Sequence, residues 1–180
     1  MTGVTKRFPG SLALNSVAIE VAPGEIHALL GENGAGKSTL LKILSGAQSP
    51  DSGSIQFAGS SVSFTVPHDA HKLGIVTIYQ EFTLAPNMTI AENVFLGREP
   101  GRKPFVSRRK MAVQKSAITR QLGLDLKSTS LVRDLAIAEQ QLVEIARALS
   151  IDSRLIVMDE PTAELSSAEV EQLFAFMHNT

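Results

Sequence analysis

The sequence predicts an α/β fold organised around a phosphate-binding loop, and three observations predict it. Residues 31–39 read GENGAGKST and set Gly31, Gly36, Lys37 and Ser38 at the spacing G-x-x-x-x-G-K-[S/T]. An apolar run, Ile26, His27, Ala28, Leu29 and Leu30, precedes the loop and is consistent with a buried parallel strand. Far downstream, Leu155, Ile156, Val157 and Met158 close on Asp159 and Glu160, which reads as a second buried strand whose end delivers two acids to a site.

The composition agrees with one domain that has a sizeable core: 180 residues, 43% of them apolar. No run approaches the length of apolar residues needed to cross a bilayer. The amino-terminal residues MTGVTKRFPGS lack the apolar segment of a signal peptide, so the chain is expected to remain in the cytoplasm. There is no cysteine, which excludes disulfides and thiolate chemistry. A net charge of -1 gives no electrostatic footprint for nucleic acid. The basic cluster Arg102, Lys103, Arg108, Arg109 and Lys110 reads as a solvated loop and helix start.

Taken in order, Val17, Ala18, Ile19, Glu20 and Val21 alternate as a half-buried strand, followed by a turn at Ala22-Pro23-Gly24-Glu25. Phe8 stands ahead of it; an aromatic there suits stacking on a nucleotide base and equally a surface or core position beside Pro9-Gly10. In the loop itself, glycines let the backbone curl tightly enough to aim consecutive N–H groups at phosphate oxygens. Lys37 supplies a mobile charge for the β- and γ-phosphates, and Ser38 offers a hydroxyl to Mg²⁺. Leu40, Ile43 and Leu44 then share one helical face, and Gly46 lies where a helix-ending glycine belongs.

Beyond that helix, QSPDSG at 48–53 is a dense turn signal, and Ser54, Ile55, Gln56 and Phe57 alternate as a strand ending at Gly59, so small antiparallel strands are expected there. Ile75, Val76, Thr77, Ile78 and Tyr79 form a β-branched strand terminated by Gln80, a residue placed to approach a metal or a water or simply to end the strand. Thr89 and Glu92 make a capping box for a short helix through Leu96, stopped at Gly97. A longer helix is expected over 107–122 and another over about 138–149, so that 87–150 looks helical as a block. Ser166 with Glu169 caps a last helix bearing Val170, Leu173, Phe174 and Met177.

In this order and spacing the residues resemble the ATP-binding subunit of an ABC transporter. The Phe8 region resembles the aromatic A-loop. Gly31, Glu32, Asn33, Gly34, Ala35, Gly36, Lys37, Ser38 and Thr39 resemble Walker A, and Gln80 the Q-loop. Leu135, Ala136, Ile137, Ala138 and Glu139 resemble the signature, 155–160 Walker B and 163–166 the D-loop. Within the family, FPGSLAL, GEIHALLGENGAGKSTLLKILSG, IYQEFTLAPNMTIAENVFLGRE and EQQLVEIARAL are similar to the monosaccharide importers of the ribose, xylose and galactose type. In that group one polypeptide usually carries two ATPase domains, and this would be the first.

The resemblance implies a P-loop NTPase fold with a RecA-like core, a small antiparallel β-subdomain and an inserted helical subdomain. Residues 1–86 would form the nucleotide-binding core and β-subdomain, 87–150 the helical subdomain, and 151–180 the return to the core. It implies ATP and Mg²⁺ as ligands, with Ser38, Gln80 and Asp159 serving the metal and Lys37, Gln80 and Glu160 the chemistry. Glu160 would orient and deprotonate the water that attacks the γ-phosphate. The implied partners are membrane permease subunits, a second ATPase domain and, indirectly, a periplasmic or extracellular sugar-binding protein. Attachment would be peripheral, at the cytoplasmic face of the membrane, through the stretch from Gln80 to about Gly97. A non-transport ABC ATPase and a nucleotide-binding module without turnover are the rival readings.

Two departures qualify the resemblance. The family signature is LSGGQ, or LS-x-A-Q in the sugar importers, and Ala136 has no hydroxyl to offer the γ-phosphate bound by the opposing domain, so a weakened contact is expected there. The family's switch histidine lies on a strand well beyond the Walker B glutamate. Neither His178 nor the earlier His27, His68 and His71 matches it, so the sequence is expected to be part of a longer protein. By itself this piece should be poorly stable, with an apolar sheet edge uncovered.

Overall fold

A computed structural model describes residues 1–79, 82–98, 101–102, 105–106, 129–151, 153–160, 165–167, 170–171 and 174. The chain divides into two compact units, Met1–Val76 and Thr77–Thr180. No described helix is long and apolar enough to cross a membrane.

The first unit is built on an antiparallel sheet of order β2-β1-β3-β4: β1 Thr2–Phe8, β2 Ser11–Val17, β3 Ser52–Phe57 and β4 Ser60–Val62. Pro9-Gly10 forms the hairpin turn between β1 and β2, pairing Phe8 with Ser11. Asp51 ties the approach to β3 onto β1, its carboxylate accepting from the Arg7 N–H at 2.7 Å and from Lys6 Nζ at 2.9 Å. Helix α1 (Lys37–Leu44) buries Leu40 and Ile43, and Val4, Leu14, Ile55 and Phe64 are buried in the same unit. A short helix, α2 (Pro67–Lys72), carries Pro67 in its first turn, where the missing N–H costs nothing. The Asp69 carboxylate accepts from the Thr65 N–H, the Thr65 hydroxyl and the Val66 N–H at its start.

In the second unit, the end of β5 (Ile75–Ile78) pairs with β8 (Leu155–Met158), the Asp159 N–H donating to Ile78 O at 3.0 Å. Helix α3 (Ile90–Val94) has the predicted capping box: Thr89 Oγ1 accepts from the Glu92 N–H, and the Glu92 carboxylate accepts from the Thr89 N–H. It packs on α4 (Ile137–Leu149), and Ile90, Val94, Leu142, Val143, Ile145 and Ala146 are all buried. Arg98 joins the ends of these helices, donating to Val94 O, Ser150 O and Ser150 Oγ. A two-stranded hairpin, β6 (Gly101–Arg102) and β7 (Phe105–Val106), and a 3-10 turn (Val132–Asp134) complete the described elements.

Three expectations are corrected. The strand placed at 17–21 lies at Ser11–Val17, because the Pro9-Gly10 turn sets the register; the positive φ of Ser16 (49°) falls at an irregularity in the ladder, after which Val17 still pairs with Val4. Beyond it only Ile19 pairs, with Met1, through Ile19 N–H to Met1 O at 3.0 Å and the Met1 ammonium to Ile19 O at 2.8 Å. The run 26–30 is neither a strand nor buried: no described strand pairs with it, and Ile26 and Leu30 are 45% and 88% exposed. Apolar character calls for burial but supplies no ladder partner, and a strand needs one. Finally, the 87–150 block is not purely helical, since it contains the β6–β7 hairpin. The helix expected over 107–122 lies outside the described residues.

Candidate functional site

The loop at 31–39 owes its shape to Gly36, which caps α1 in the left-handed region at φ 85°. A Cβ there would fall 2.4 Å from Ala13 O and 2.8 Å from Leu14 Cδ2, so the loop rests directly on β2. Within the loop the Ala35 N–H donates to Glu32 O at 3.1 Å. Lys37 arches back over it, its ammonium donating to Gly31 O at 2.7 Å and to Glu32 O at 2.9 Å. Gly31, Glu32, Asn33, Gly34, Ala35 and Ser38 are exposed, and Gly36, Lys37 and Thr39 are half-buried.

Gly36 has no side chain to cap α1, and the first turn of the helix holds no acidic residue. Among the described residues no carboxylate bonds to the leading N–H groups at the positive end of the helix, which stand beside an ammonium and a hydroxyl. This arrangement suits an anion with several oxygens, such as a nucleotide polyphosphate. Phe8, at the end of β1, is 39% exposed, and Lys6 Nζ lies 6.0 Å from its ring centroid.

In the second unit, β8 carries Asp159 at its end, half-buried and tied by its N–H to Ile78 O. Glu160 follows, exposed, with φ 52°, a conformation that L-residues other than Gly, Asn and Asp seldom adopt and that is further disfavoured ahead of Pro161. Such strain concentrates where a side chain must be presented for a purpose. Gln80 lies outside the described residues. Among the described residues no group of three or more His, Cys, Asp or Glu side chains could hold a metal ion by itself.

The 135–139 segment forms the start of α4. Leu135 is half-buried, Ala136 is the N-cap residue, and Ile137 is 54% exposed. The Glu139 carboxylate accepts from the Ala136 N–H at 2.8 Å, and Gln140 Nε2 donates to Leu135 O at 3.1 Å. One amide at this helix start is thus already occupied by a carboxylate of its own chain. The sequence held a signal for it, a glutamate three residues after the cap position, as in a capping box whose serine is replaced by alanine. Nothing in the sequence marked Ala13 and Leu14 as supports of the loop.

The protein-family model described as ABC transporter matches residues 14–163. The chain belongs to the ABC transporter family. It is 51% identical over 174 residues to a ribose import ATP-binding protein of Rubrobacter xylanophilus, covering 97% of this chain and 35% of that protein. A ribose import ATP-binding protein of Yersinia pestis is 53% identical over 174 residues, with 97% and 34% covered. This ABC chain therefore spans about a third of the length of the curated relatives it matches.

Its fold is that of solved ABC cassettes. An ATP-binding cassette of an ABC transporter in its ADP conformation superposes with a TM-score of 0.84 at 29% identity, over 99% of this chain and 74% of that one. A cassette solved as a dimer in a post-hydrolysis state with ADP and Pi gives 0.83 at 26% identity, over 98% and 79%. The P-loop NTPase fold expected from the sequence is the fold of this ABC chain.

Proposed function

We propose that the chain is the ATP-binding and ATP-hydrolysing part of an importer that drives uptake of a monosaccharide. The observation that carries this reading is the identity of about half along 97% of the chain to ribose import ATP-binding proteins, in a chain whose loop keeps an uncapped helix start and Lys37 together. The loop amides and Lys37 bind the phosphates of ATP. Phe8 stacks on the base. Ser38, Gln80 and Asp159 hold Mg²⁺, which when bound neutralises charge building on the phosphate oxygens. Glu160 orients the attacking water and accepts its proton.

The chain works as one of two ATPase domains, pairing its 135–139 segment with the nucleotide of the other. It lies peripherally at the cytoplasmic face of the membrane, against permease subunits that take sugar from a binding protein outside. The dimeric cassette with ADP and Pi supports the pairing by analogy of fold and family. Reconstitution of the full-length polypeptide with its permease in vesicles tests the reading: ATP-driven uptake of a pentose or hexose is expected. Nucleotide binding without hydrolysis or uptake would overturn it.

A further inference from the structure

Between β5 and α3 the chain runs through 82–89 with no regular structure, and buried polar groups fix its path. Asn93 on α3 is fully buried; its Oδ1 accepts from the Ala85 N–H at 2.7 Å and its Nδ2 donates to Ala85 O at 3.0 Å and Thr89 O at 3.1 Å. The far side is sewn to the approach to α4: Arg133 N–H donates to Pro86 O, Val132 N–H to Met88 O, and Ile90 N–H to Ser130 O, at 3.0 to 3.1 Å. Glu144, on α4 and 7% exposed, closes the near end. Its Oε1 accepts both the Thr83 N–H at 2.6 Å and the Thr83 hydroxyl at 2.9 Å, and Arg147 Nη1 donates to Thr83 Oγ1 at 3.2 Å.

A carboxylate in that position is costly to bury, and an apolar side chain of similar size would pack there without the cost. What a leucine would not do is fix Thr83. The loop is short of regular hydrogen bonds, so without these side-chain contacts it would have many conformations open to it. With them, 82–89 and α4, whose first turn is the 135–139 segment, are held as one piece.

We propose that Glu144 is a positioning residue: it locks the 82–89 stretch to α4, so that the surface offered to the membrane partner and the segment offered to the second nucleotide move together. The proposal rests on the reading of the chain as the ATPase of a permease-coupled transporter. Arg147 reinforces the same lock from its exposed side, and Asn93 holds the middle of the stretch.

The test uses the full-length polypeptide reconstituted with its permease. In Glu144→Leu, stimulation of ATP hydrolysis by permease and transported sugar should fall about ten-fold while unstimulated hydrolysis stays near wild type. Glu144→Gln keeps a carbonyl oxygen where Oε1 stands and should retain most of the stimulation. Thr83→Ala, at an exposed position, removes the hydroxyl and the methyl beside it but keeps the backbone N–H, and should lower the stimulation without affecting folding. Wild-type stimulation in both Glu144→Leu and Thr83→Ala would overturn the proposal, and so would equal losses of stimulated and unstimulated turnover. Absence of any stimulation in the wild type would defeat the functional reading instead. The lock would then be judged by amide exchange at Thr83, which must accelerate in Glu144→Leu; an unchanged rate overturns it.

Discussion

The carbonyl oxygen of Ala13 stands 2.4 Å from the place a Cβ would occupy on Gly36, so β2 sets the floor of the phosphate loop. Gly36→Ala would bring both this overlap and a left-handed φ of 85°, for a cost of at least about 1–3 kcal/mol. Gly34 has a similar φ, 83°, but open space where its Cβ would be, so Gly34→Ala should cost only about 1–2 kcal/mol. Thermal unfolding of the two variants side by side checks this. Equal losses would mean that the contact with Ala13 is irrelevant.

Lys37→Ala should weaken ATP binding by about 10- to 100-fold, the value of one hydrogen bond to a charged group. The same change frees Gly31 O and Glu32 O, which are exposed to water and need no replacement partner. Stability should therefore change little. Titration with a fluorescent ATP analogue, together with a melting curve, separates the two effects; a large fall in stability with unchanged affinity would refute this role for Lys37.

Glu160→Gln should leave ATP binding close to wild type and lower hydrolysis by about 10²- to 10⁴-fold, as expected for loss of a general base. Single-turnover hydrolysis in the assembled transporter measures it. Full activity in this variant would remove Glu160 from the chemistry.

Ala136→Ser restores a hydroxyl at the cap of α4, with two separable consequences. A serine cap should stabilise the domain by about 1 kcal/mol, because it satisfies an N–H that alanine cannot reach. In the assembled transporter the same hydroxyl should tighten ATP binding by about ten-fold or more through the opposing nucleotide. A higher melting temperature with unchanged affinity would confine the effect to the helix and refute the contact in trans.

Acid should loosen the first unit through two aspartates. Hydrogen bonds from the Lys6 ammonium, then from the Arg7 N–H, hold the Asp51 carboxyl below its ordinary value of 3.8. Bonds from the Thr65 N–H and hydroxyl, then from the Val66 N–H, do the same for Asp69, also from 3.8. Because both values are lowered on folding, their stabilisation is present above pH 3.8 and is lost as pH falls below it through the folded values. Asp51→Asn should flatten the acid limb of the melting temperature measured against pH, leaving its neutral plateau lower than wild type. An acid limb identical to wild type would exclude Asp51 from the effect.

What could be read from the sequence follows how local each signal is. Thr89 and Glu92 lie three residues apart and specify their own helix start, so that cap was legible, as were the end of α1 before Gly46 and the alternation of β3. The loop leading into α1 at Lys37 and the strand that ends before Asp159 and Glu160 were legible because each is marked by a run of neighbouring residues. Segment 26–30 was misread because its apolar residues carry no information about which strand pairs with them. The Glu144 to Thr83 bonds were invisible for the same reason, joining positions 61 residues apart with no shared pattern. Helix α2 was missed although Pro67 and Asp69 mark its first turn, because six residues are too few for a periodicity.

The backbone of Glu160 has one more consequence, which concerns how substitutions there are to be interpreted. Glycine at 160 would shed the steric penalty of φ 52°, so Glu160→Gly should melt at a higher temperature than Glu160→Gln even though both lack the acid. On the role proposed for Glu160, the native residue is then a compromise, in which robustness at the end of β8 is given up for a carboxylate. A screen that selected this protein for heat resistance alone would drift toward glycine at that position and, on that role, would recover durable proteins that hydrolyse ATP poorly.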